Sequence, residues 1–248
     1  FHIADLIQYV ENLVAEKLPS IQQLTPIRTR KAPDCRMLFY ADIMNTEPLQ
    51  RLLNVPVALK KPARIDGYMN SLQSELSIQA SVPQLSISDQ DYADISLSVS
   101  TPADALNAIL KAKKVLSNGN KAEYALNAMA ANNKLSAALN FDNHSKLHLK
   151  GNMNANAQFS RNEAGKVKAV VNIMPSQMMI DDTNWNIMSS TLTYSPKHIE
   201  IENFAIEHDD QHLHINGLAT EDNSDSLTVD LKDVDVAYIL NLVNFHAV

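Results

Sequence analysis

Ile199-Glu-Ile-Glu-Asn-Phe-Ala-Ile-Glu-His-Asp-Asp-Gln-His-Leu-His-Ile-Asn-Gly217 is the stretch on which the reading of this chain turns. Ile199 and Ile201 alternate with glutamates before Asp209-Asp210, and Leu213 and Ile215 alternate with histidines after it. Period-two alternation gives a strand one dry face and one wet face, and an Asp pair suits the turn of a hairpin.

The same pattern extends outward in both directions. Leu76-Ser-Ile-Gln-Ala80, Leu85-Ser-Ile87, Ile95-Ser-Leu-Ser-Val99, Leu135 to Phe141, Leu147-His-Leu-Lys-Gly151, Val167 to Ile173, Met178-Met-Ile180 and Leu227-Thr-Val-Asp-Leu231 all keep it. Asn118-Gly119, Asn132-Asn133, Asp142-Asn143, Ala164-Gly165, Asp209-Asp210 and Asp222-Asn223 supply turn chemistry between them. Ala105-Leu-Asn-Ala-Ile-Leu110 has helix propensity after Thr101-Pro-Ala-Asp104, but a strand with Leu106, Ala108, Leu110 and Ala112 on one face is expected there, because a strand over 121–130 needs a hairpin partner. At the start, Ile3, Leu6, Ile7, Val10, Leu13, Val14 and Leu18 follow helical spacing up to Pro19. A short helix is expected after Thr46, and another from Val234 to Phe245. The expected fold is mainly β: an antiparallel meander over 65–248, curled into an open groove or a sandwich-like sheet. A helical or irregular portion over 1–64 precedes it, and a short C-terminal helix ends it.

Composition narrows the function. Five glycines, with no Gly-x-Gly-x-x-Gly and no Walker loop, disfavour a nucleotide-binding α/β domain. Residues 1–64 carry nine Lys/Arg against six Asp/Glu, whereas 200–248 carry eleven Asp/Glu against Lys232 alone. An acidic half repels nucleic-acid phosphates. Cys35 is the single cysteine, so no internal disulfide is expected. No signal peptide and no apolar run of about 20 residues is present. Because the chain begins and ends within apolar-periodic runs, it reads as a segment of a longer protein.

The Ile199–Gly217 unit of strand, short turn, strand and glycine, followed by Asp225-Ser-Leu-Thr-Val-Asp-Leu-Lys-Asp-Val-Asp-Val-Ala-Tyr-Ile-Leu-Asn-Leu-Val-Asn-Phe245, resembles the TamB-type proteins. These are the translocation-and-assembly-module members of the AsmA-like superfamily, and the likeness is to their Bacteroidetes branch. The resemblance is strong over 176–248, fair over 65–175 and weakest over the first sixty residues. It implies a periplasmic bridge anchored in the inner membrane by a segment outside this sequence, carrying phospholipid or another acyl-chain ligand along an apolar β-groove. It also implies help in assembling outer-membrane proteins, an Omp85-type outer-membrane partner reached through the parent protein, and no catalytic residue or cofactor. The residues expected to line the groove are Leu147, Leu149, Val167, Ala169, Val171, Ile173, Ile180, Ile199, Ile201, Leu213, Ile215, Leu227, Val229 and Leu231. A secreted or surface β-sandwich that binds a protein or glycan is the alternative. The bridge calls for an apolar trough open at both ends, the sandwich for a closed core.

Other candidate sites read as ordinary surface or filling. Met153, Met174, Met178 and Met179 are expected to point inward as adaptable packing. His208, His212 and His214 around Asp209-Asp210 have the ligand types of a zinc site, but their alternation with Leu213 and Ile215 makes them a solvated strand face. His144 and His148 read the same way. The acidic residues lie away from aromatic-rich runs that would stack sugars, and Cys35 has no histidine close in sequence to activate it.

Overall fold

The computed structural model describes residues 3–23, 34–44, 46, 50, 56–145, 148–221 and 225–234. The order is α1 (Ile3–Lys17), a 3-10 turn (Pro19–Gln23), β1 (Arg36–Ile43), β2 (Val57–Leu59), β3 (Ala63–Asn70), β4 (Glu75–Ile87), β5 (Gln90–Ser100), β6 (Leu106–Val115), β7 (Lys121–Ala131) and β8 (Lys134–Asp142). It continues with β9 (Leu149–Arg161), β10 (Val167–Met174), β11 (Ser176–Ile180), β12 (Thr183–Ile187), β13 (Ser190–Ser195), β14 (His198–His208), β15 (Gln211–Thr220) and β16 (Leu227–Lys232).

The sixteen strands among the described residues belong to one sheet, and every pairing between them is antiparallel. Several neighbours are collinear halves of one long strand. β2 and β3 both pair β4, β10 and β11 both pair β9, and β12 and β13 both pair β14, so the chain runs up and down as one meander. Short turns suffice for such connections. Asn132-Asn133 and Asp181-Asp182 hold positive φ at both central positions, as a right-twisted hairpin requires. The expected strand through Leu106, Ala108, Leu110 and Ala112 is β6, paired with β7 from Leu106↔Ala130 to Val115↔Lys121.

One expectation about the start of the chain changes. Residues 1–64 are not wholly helical or irregular, because β1 and β2 are strands of the same sheet. β1 hides its alternation: Met37 and Phe39 pack under α1, but the alternate positions are also apolar, with Leu38 82% and Tyr40 58% exposed. The helix expected after Thr46 and the one expected over 234–245 fall mostly or wholly outside the described residues; of the first, the Gln50 N–H donates to the Thr46 carbonyl at 2.9 Å.

α1 buries Leu6, Tyr9 and Leu13 against Met69, Leu76 and Ile78, and Leu18 beyond its end packs on Leu106 and Ala130. Polar contacts fix its position. The Tyr9 hydroxyl reaches the carbonyls of Asn70 and Glu75 at 3.2 and 3.3 Å, and burial, aided by Glu16 and Glu75, pushes its pKa up to about 12. Lys17, its side chain 6% exposed, bonds Asp104 at 2.7 Å and Glu16 at 2.6 Å. Burial alone would pull its pKa down, but these two carboxylates outweigh it and hold the amine above the ordinary lysine value. The Asn133 N–H donates to the Lys17 carbonyl at 2.8 Å, so the helix is tied to several hairpin ends at one end of the sheet.

Candidate functional site

Register places the apolar side chains in continuous rows across the strands, because directly opposed residues share a face. One row runs Phe39, Gly67, Ile78, Val99, Ala108, Ala128, Ala137, Ala155, Ile173 and Ser190. At about 4.8 Å between strands it spans roughly 40 Å. The next row runs Ala41, Ile65, Ala80, Leu97, Leu110, Leu126, Leu139 and Met153.

Every expected lining residue among those described lies on this face. Leu149 sits opposite Ile180, Val171 opposite Ala157 and Leu192, Ile201 opposite Leu192, and Leu213 and Ile215 opposite Leu231 and Val229. Val167, Ala169, Ile173, Ile199 and Leu227 follow by the same registers. Leu147 lies outside the described residues.

The shared face survives interruptions that period two alone would not tolerate. Ile173 and Met178, Ile187 and Ser190, and Ile201 and Phe204 are odd numbers of residues apart, yet each pair faces the apolar side. Irregularities at 174–175, 188–189 and 202–203 lie on neighbouring strands and restore the phase together, with Asn203 at positive φ. This also corrects two methionines. Met153 and Met178 point inward as expected, whereas Met174 and Met179 fall on the polar face.

Cover over the apolar face is uneven. α1 and the turn after it lie over the end row of Met69, Leu76, Leu106, Ala130 and Leu135, so that end is covered by a helix. Farther from α1, Leu110, Tyr124, Ile199 and Val229 remain exposed on the same face. Around Trp185, the residues Leu149, Met178, Ile180 and Ile187 form a second buried cluster.

The opposite face is polar. A shallow depression of about 620 Å³ there is lined in part by Asp94, Lys111, Lys113, Glu123, Asp142, Lys150 and Asn152. Its charges pair with one another, Lys113 with Glu123 at 3.2 Å and Lys150 with Asp142 at 3.6 Å, as on a solvated face. His212 and His214 stand together on this side with ring centroids 4.1 Å apart. His208 does not join them. It lies on the apolar side, its ring 5.5 Å from Trp185 and its Nδ1 2.8 Å from the Asn184 carbonyl, because the irregularity at 202–203 shifts β14 by one residue against β15. Asp142, His144 and His148 form a second group, with Asp142 Oδ1 3.1 and 2.9 Å from the two imidazoles. Cys35 is half-buried against the α1 cluster, and its N–H donates to Ser71 Oγ at 2.7 Å.

Among the described residues no helix is long and apolar enough to cross a membrane. Comparison of the chain with protein-family models, with curated proteins and with solved structures finds no match.

Proposed function

We propose that this chain is a non-catalytic segment of a periplasm-spanning bridge that moves phospholipid, or another acyl-chain ligand, along the apolar face of its sheet. The reading rests on one observation: a single antiparallel sheet carries an apolar face that, among the described residues, α1 covers at one end while Leu110, Tyr124, Ile199 and Val229 stay exposed. An uncovered apolar surface costs about 25 cal/mol per Å² against water, so it calls for a partner, and the mobile tail of a lipid fits a long apolar track. The resemblance to TamB-type proteins points the same way. It adds an inner-membrane anchor outside this sequence, a role in outer-membrane protein assembly and an Omp85-type partner of the parent protein.

The test is positional. A photo-crosslinking residue at Ile173 or Val229 of the parent protein should capture phospholipid in cells, and one at Asn172 or Thr228, on the polar side of the same strands, should not. Equal capture from both faces, or none from Ile173 and Val229, would remove the lipid reading. Native mass spectrometry of the purified chain should show co-purified lipid.

A further inference from the structure

We propose that His212, His214, Asp230 and Glu207 form a binding site for a divalent transition-metal ion of the zinc type, on the polar face and away from the apolar track. His212 and His214 occupy alternate positions of β15, so both imidazoles leave the same side. Their planes lie 15° from parallel. Each flanking strand contributes a carboxylate in register: Glu207 of β14 opposite His212, and Asp230 of β16 opposite His214. The contacts run diagonally, His212 Nε2 to Asp230 Oδ2 at 3.1 Å and His214 Nε2 to Glu207 Oε1 at 2.7 Å.

The donor atoms of His212, His214 and Asp230 all lie within 4.8 Å of one another. Tetrahedral zinc with bonds of about 2.0–2.1 Å sets its donors about 3.3 Å apart, so a small closing movement completes the shell. Two imidazole nitrogens with carboxylate oxygens suit zinc-type ions, whereas magnesium and calcium favour six or more oxygens. Donors on three adjacent hydrogen-bonded strands are held more firmly than donors on loops. With side chains 22% and 65% exposed, His212 and Asp230 leave the ion a path from solvent. Lys232, opposite His212, opposes the ion, but two carboxylates face its single charge.

The Asp142, His144 and His148 group is the weaker competitor. It offers one carboxylate, whose other oxygen is 3.6 Å from Lys150, and Lys121 lines the same depression as its histidines. An ion at the proposed site would also tie β16, exposed along its whole length and paired among the described residues to β15 alone, to the body of the sheet.

The experiment titrates ZnCl₂ into the 248-residue chain, with MgCl₂ as comparator, and follows hydrogen exchange of the β16 amides. One zinc ion should bind with a dissociation constant on the order of micromolar, and zinc but not magnesium should slow β16 exchange. H212A/H214A should weaken binding at least about 100-fold, and D230N and E207Q about 10-fold each, while H208N and H144A/H148A stay within about 3-fold. If H212A/H214A fails to fold, D230N and E207Q decide. No zinc binding at 100-fold above the expected constant, unchanged affinity in H212A/H214A or in both carboxylate variants, or loss of the ion in H144A/H148A instead, would overturn the proposal.

Discussion

Leu13→Ala tests how α1 is held on the sheet. Leu13 is 1% exposed and packs among Leu6, Tyr9, Met69, Leu76 and Ile78. The substitution leaves a cavity walled by a helix on one side and hydrogen-bonded strands on the other. Neither wall can close in without disturbing the Tyr9 bonds to the Asn70 and Glu75 carbonyls. Leu→Ala at such a site costs about 2–5 kcal/mol, and limited relaxation places this one at about 3 kcal/mol. That is a large share of the roughly 5–15 kcal/mol of a typical domain. The strand ladder does not run through α1, so the loss should fall on local opening of the helix. At about 1.4 kcal/mol per factor of ten, α1 amides should exchange on the order of 100-fold faster, with β8 and β9 amides nearly unchanged. Hydrogen-exchange mass spectrometry reads both segments, and urea denaturation gives the global figure. A loss below about 1 kcal/mol, or equal deprotection of α1 and β8–β9, would refute this account of the helix.

Ile173→Asp should cost several kcal/mol in urea denaturation, because Ile173 packs against the Trp185 cluster, whereas Asn172→Asp should stay within about 0.5 kcal/mol, since it keeps an acceptor for the Thr191 hydroxyl. Gly217→Ala should destabilise by about 1–3 kcal/mol and loosen β16 first in hydrogen exchange, because the residue has φ +134° and an added Cβ would meet the Ser226 carbonyl oxygen at 2.2 Å. Acid should weaken the fold through two carboxylates. The hydrogen bond from Lys17 lowers the Asp104 pKa; burial pushes that of Asp142 up, but hydrogen bonds from His148 and the His144 backbone outweigh it, so it too is lowered. A carboxylate depressed in the folded state stabilises above its unfolded value and loses that effect as pH falls through the folded value. Urea midpoints should therefore drop below about pH 4, and less steeply in D104N/D142N.

Much of the strand content was written in the residues, because a half-buried strand must alternate and a hairpin must turn on residues that accept positive φ. Leu76–Ala80, Val167–Ile173, Ile199–Gly217 and Leu227–Leu231 carry that pattern openly, and their apolar positions fall on one face. β1 was obscured because both its faces are apolar, and period two is legible only when one face is wet. Met174, Met179 and His208 lie on the opposite face from the one simple alternation assigns them, because alternation in the sequence carries no record of an added residue. Only paired neighbours show where a bulge changes the phase. The four-sided arrangement of His212, His214, Asp230 and Glu207 draws on three strands up to 23 positions apart, so no local spacing could announce it. Sequence by itself thus determined that the chain makes strands with one dry face. Tertiary structure decided that those faces join into a single surface, and that a helix covers one end of it, because pairing register and helix docking depend on contacts between residues far apart in the chain.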